Sequence, residues 1–164
     1  MKAQRTLWWI ARAGWVLGYG IVLSMWGVHR EWLWAALAAI FGLLSIANSY
    51  GRRAWLVSVY FLVLLALGGV ATLWSSGAAL GSVLCGLIAW DVELFARRLA
   101  PYTDVPEALV RAHLMRLGAI VLLSGALGTA ALSLTMSLSF GVILLLAFGF
   151  LVMFLLLLRQ GLRG

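Results

Sequence analysis

Apolar residues run through this chain in stretches of about 20, separated by short polar gaps, and the gaps alternate in kind. A hydrocarbon layer of about 30 Å needs roughly 20 apolar residues from a helix rising 1.5 Å per residue. The pattern predicts an all-α polytopic membrane protein, a bundle of six transmembrane helices at about 7–28, 32–50, 54–74, 78–96, 114–134 and 140–158. It forms a single transmembrane domain over 1–164, with a polar connector at 97–113 that holds both prolines, Pro101 and Pro106.

Basic residues orient the bundle. Lys and Arg accumulate in loops that stay cytoplasmic. With six spans, Lys2, Arg5, Arg12, Arg52, Arg53, Arg97, Arg98, Arg111, Arg116, Arg159 and Arg163 fall on one side, and only Arg30 falls on the other. Removing the fourth span would move Arg97, Arg98, Arg111 and Arg116 to the side of Arg30 and erase the separation. The expected arrangement is therefore an inner (plasma) membrane protein with both termini cytoplasmic. Lys2 and Arg5 ahead of an apolar run imitate a secretory signal, but Arg12 interrupts that run and no small-x-small cleavage site follows, so a retained first helix is expected.

Composition agrees. The chain is 65% hydrophobic and 10% charged, with a mean hydropathy of +1.07, whereas soluble domains carry about 25% charged residues. Its net charge of +7 does not point to nucleic acid, because the arginines flank apolar segments and form no stripe on a polar face. Arg52, Arg53, Arg97, Arg98 and Arg111 are instead candidates for cytoplasmic docking or for contact with anionic lipid headgroups. The lone Cys85 sits in an apolar run and reads as a packing residue; one cysteine makes no internal disulfide.

The connector carries a helix start. Asp104 with Glu107 three residues later makes a capping-box pattern, and Pro106 stands where its missing N–H does little harm. The fifth helix should begin near Val105 and extend beyond the apolar layer, with Glu107 and Arg111 four apart on its polar face.

Ionisable groups at membrane depth are costly and mark functional candidates. Asp91 and Glu93 lie in the fourth span, Asp91 six residues before Arg97, or about 9 Å below the boundary. Arg12 and Arg116 sit at similar depth. Asp91 is expected to pair with Arg12 or Arg116 and Glu93 with Arg97, either locking the bundle or handling ions. Trp8, Trp9, Trp26, Trp32, Trp34, Trp55, Trp74 and Trp90 mark the predicted boundaries; Trp15 alone lies deeper and reads as packing. Gly14 with Gly18, and Gly77 with Gly81, have the four-residue spacing that lets helix backbones approach. His29 and His113 fall on opposite faces, so they cannot share a metal or haem, and no cofactor is expected.

The sequence holds no HExxH, no GxSxG and no Gly-rich loop before a Lys. Two functions remain in contention. One is a non-catalytic accessory or structural subunit of a larger membrane assembly, with a membrane-protein partner or self-association. The other is a small ion- or solute-transporting protein using Asp91 and Glu93 near the cytoplasmic face. An intramembrane enzyme ranks third. The topology makes a direct prediction: alkaline phosphatase fused after Ser76 will be active, because that turn faces outward. Activity only of a cytoplasmic reporter at that site would reverse the orientation.

Overall fold

A computed structural model of the chain describes residues 2–49, 53–102 and 106–133. The chain divides into two units, Met1–Leu132 and Ser133–Gly164; the account below concerns the first. The expected sixth span, the capping residue Asp104, and Arg52, Arg159 and Arg163 lie outside the described residues.

Five helices follow in order: α1 (Lys2–Val28), α2 (Trp32–Asn48), α3 (Trp55–Ala71), α4 (Ser76–Leu99) and α5 (Glu107–Ser133). The all-helical bundle is as expected. Among the described residues, three helices are long and apolar enough to cross a membrane: α1, α4 and α5. The helices at the second and third expected spans are shorter than predicted, at 17 residues each, or about 26 Å. Their ends are fixed by hydrogen bonding. The amides of Thr72, Leu73 and Trp74 turn back to the carbonyls three residues earlier, closing α3 in a tighter turn. Thr72 adds a side-chain bond to the Gly69 carbonyl. Ser75 then caps α4, its Oγ accepting from the Ala78 amide at 3.3 Å.

The turn between α1 and α2 is a Schellman motif: Glu31 N–H reaches the Trp26 carbonyl and Arg30 N–H the Gly27 carbonyl. Arg30 occupies the left-handed position usually given to glycine, with φ of 61°. A non-glycine residue there costs about 1–2 kcal/mol.

The centre of the bundle is an antiparallel pair, α1 against α4. Leu7, Ala11, Trp15, Tyr19, Val22 and Trp26 recur every three or four residues and form a buried stripe on α1. Opposite them α4 buries Ala79, Ser82, Gly86, Ala89 and Ala96. Large side chains on one helix meet small ones on the other, so the backbones come close. A Cβ added at Gly14 would lie 2.9 Å from both the Ala89 Cβ and the Cys85 carbonyl oxygen, and one at Gly18 would lie 2.9 Å from Leu64. Gly77 and Gly81 differ: nothing lies within 4 Å of the first, and only Ile21 at 3.9 Å from the second. The tight seam is thus at Gly14 and Gly18, whereas the Gly77/Gly81 spacing faces open space.

Helices α2 and α3 close the core on the other sides. Tyr19 donates its hydroxyl hydrogen to the Tyr60 carbonyl at 2.7 Å and packs against Gly42. Trp90 donates to Ser58 Oγ at 3.1 Å and stacks on Phe61. At the end near Arg30, Trp26 packs edge-on to Trp74 and stacks on Trp34. Helix α5 lies at the periphery, joining Val110 and Leu117 to Leu7, Ala11, Val92 and Ala96. Leu109, Met115, Leu122, Leu123 and Leu127 stay exposed.

The seam predicts an asymmetry among glycines. Gly14→Ala should destabilise the bundle by about 1–3 kcal/mol, because a backbone carbonyl cannot yield as a side chain can. Gly20→Ala, with nothing within 4 Å, should be neutral or stabilising by up to about 1 kcal/mol. Thermal unfolding in detergent, followed by circular dichroism, measures both.

Candidate functional site

Asp91 and Glu93 are two residues apart, which on a helix turns their side chains about 200° from each other. They therefore serve different neighbours. Glu93 faces inward and is 1% exposed. Its Oε2 accepts from Trp15 Nε1–H at 2.8 Å, and its Oε1 accepts from Arg97 Nη2 at 2.7 Å and Nε at 3.2 Å. The pair has the expected helical spacing, with the acid on the N-terminal side, the favourable order for the helix dipole.

Arg97 extends the network beyond α4. Its Nη2 also donates to the carbonyl of Asn48, at the end of α2, at 2.9 Å. The guanidinium lies 5.6 Å from the ring centre of Trp8, within cation–π range. Asn48 Nδ2 in turn donates to the Arg53 carbonyl at 3.3 Å, just ahead of α3. One buried carboxylate thus organises α1, α2, α4 and the entry to α3.

Asp91 faces α5, and here the expected partner changes. Its Oδ2 lies 2.7 Å from His113 Nε2, so His113 takes the place assigned to Arg12 or Arg116. The His113 ring stacks on Phe95 with centroids 3.8 Å apart and planes 10° from parallel. The side chains of His113 and Asp91 are 25% and 33% exposed. Arg12 instead lies over the Trp9 ring at 5.9 Å. Glu107 and Arg111 do not form the expected pair among the described residues.

Sequence reasoning missed three participants. Trp15 was the one tryptophan away from the boundaries, and a buried indole N–H needs an acceptor; that was the usable signal. His113 carried a weaker one, its place near the start of a helix at the depth of Asp91. Asn48 gave none, because it contributes a backbone carbonyl.

The antiparallel packing also sorts charge. Arg5, Arg12, Arg53, Arg97, Arg98, Arg111 and Arg116 all lie toward one end of the bundle, with the starts of α1, α3 and α5 and the ends of α2 and α4; Arg30 is at the other end. No group of three or more His, Cys, Asp or Glu residues is poised to hold a metal among the described residues. No protein-family model matches the chain, and searches of curated proteins and of solved structures return no match.

The network yields a stability prediction. Glu93→Ala removes the acceptor for two buried donors and should cost about 3–5 kcal/mol. Replacing both charges with apolar residues, Glu93→Leu with Arg97→Met, should recover much of that loss, because no uncompensated charge then stays buried. Equal losses in the single and double variants, read from thermal unfolding, would contradict this account.

Proposed function

We propose that the chain is an integral membrane protein, with both termini on the cytoplasmic side, serving as a non-catalytic accessory or structural subunit of a larger membrane assembly. Three long apolar helices and the gathering of arginines at one end support the membrane placement. The observation that carries the subunit reading is the use made of the two intramembrane acids. Glu93 spends both oxygens on Trp15 and Arg97, and Asp91 bonds across to α5. Both act as ties between helices. Exposed apolar residues along α5 give the bundle a face suited to lipid or to another membrane helix.

One observation favours a second reading, transport of a small ion or solute. Asp91 and His113 are partly exposed, unlike Glu93. Against this, the polar residues toward the Arg30 end bond their own helices: Ser82 donates to the Ala79 carbonyl and Thr129 to that of Gly125.

Extraction from native membranes in mild detergent, followed by native electrophoresis, separates the two. A subunit migrates with a stoichiometric partner protein. A lone monomer or a symmetric homodimer would count against the assembly reading and favour transport.

A further inference from the structure

Beside the Glu93 network, at the same end of the bundle, α1 carries a second basic feature. Gln4, Arg5, Trp8, Trp9 and Arg12 fall within two and a half turns, and with Ser49 at the end of α2 they line a cleft of about 520 Å³. That volume falls within the 300–1,000 Å³ usual for small-ligand sites. We propose that this cleft binds the phosphodiester headgroup of an anionic lipid.

Four observations carry the assignment. First, Arg5 and Arg12 are seven residues apart, two helical turns, so both guanidiniums reach the same cleft. Guanidinium is the side-chain group best matched to a phosphate, through paired N–H donors. Second, among the described residues no acidic side chain lines the cleft. The nearest acid in the network, Glu93, is already neutralised by Arg97. Third, Arg97, paired with Glu93, stands against Trp8, one of the walls, so the neighbouring pair brings no net negative charge. Fourth, Trp8 and Trp9 supply amphipathic indole rings of the kind that settle at headgroup level, and Trp9 holds Arg12 beneath its face. Ser49 already donates its hydroxyl to the Ser45 carbonyl, so it forms a wall and Gln4 is the neutral donor. Of the arginines named from sequence as docking or headgroup contacts, Arg53, Arg97, Arg98 and Arg111 are not among the described lining residues, and Arg52 lies outside the described residues.

The inference rests on the membrane placement proposed above, and its test separates the two. The full chain is reconstituted in nanodiscs of phosphatidylcholine alone and of phosphatidylcholine with phosphatidylglycerol, and lipid retained by the released protein is counted by native mass spectrometry. Incorporation into either disc tests the membrane placement; selective retention tests the site. Wild-type protein should keep a phosphatidylglycerol adduct that phosphatidylcholine does not replace. Arg5→Gln with Arg12→Gln should weaken retention about tenfold or more per guanidinium lost, while Arg30→Gln, at the far end, should leave it unchanged. If the glutamine pair fails to fold, Arg5→Lys with Arg12→Lys keeps the charge and removes paired donation, and weakened retention is again expected. Inorganic phosphate titrated against the adduct distinguishes the sources. Weak competition only at millimolar levels supports a lipid ligand, whereas displacement at micromolar levels overturns the lipid assignment in favour of a soluble phosphate. Equal retention by wild type and the arginine variants, or none by either, overturns the site.

Discussion

A carboxylate sealed among helices is tolerable only if every oxygen is met by a donor, and Glu93 sets the terms for the rest of this bundle. Moving such a charge out of water costs several kcal/mol even after relaxation. The compensation comes from separate elements: an indole N–H from α1 and a guanidinium from one turn further along α4. Arg97 can face Glu93 while reaching the Asn48 carbonyl only if α2 ends at this level. Trp15 can reach Glu93 only if α1 and α4 approach closely, which Gly14 against Ala89 and Cys85 permits. Packing and electrostatics here are one constraint. Small residues on the seam bring the donors within range, and the ion pair fixes the register at which the seam closes.

The same geometry explains why some of the fold was legible in the sequence and some was not. Helix type and the positions of the turns follow from apolar run lengths and from the short polar gaps between them, all local features. Glu93–Arg97 is local as well, at i,i+4, and was readable. Asp91 was harder, because several cations sit at its depth and run lengths do not give the rotation of α5 about its axis. That rotation puts His113 beside Phe95 and Asp91. The length of α3 was overestimated for a different reason. Hydropathy continues past Ala71 to Leu73 and Trp74, but the tightened turn at Thr72–Trp74 ends α3 first. Small-residue spacing was equally ambiguous: Gly14/Gly18 and Gly77/Gly81 share one pattern, and only the first meets a close neighbour, the second reaching no more than Ile21 at 3.9 Å.

Bearing on function, the two acids of α4 divide their labour by direction. Glu93 points into the four-element junction, where both its oxygens are engaged by Trp15 and Arg97. Asp91 points to α5, which joins the bundle through few buried residues, chiefly Val110 and Leu117. A single charge-assisted contact therefore carries a larger share of α5 attachment than it would in the α1–α4 pair. Removing the carboxylate charge at 91 bears on how α5 docks; removing it at 93 bears on whether the core closes.

The end of the bundle that holds these contacts also concentrates positive charge. Stability does not require that excess, since Arg97 alone neutralises Glu93 and His113 meets Asp91. An exposed Arg5 and a half-buried Arg12 line the same cleft, which keeps like charges near each other. Such an arrangement is costly in isolation and becomes favourable when an anion lies between the two. A bilayer surface supplies anions at that level, and charge attraction there amounts to about 1 kcal/mol per basic residue. On the membrane placement proposed above, orientation and occupancy of the cleft would share one cause: guanidiniums that resist translocation would find their counter-ions among headgroups on the side where they stay.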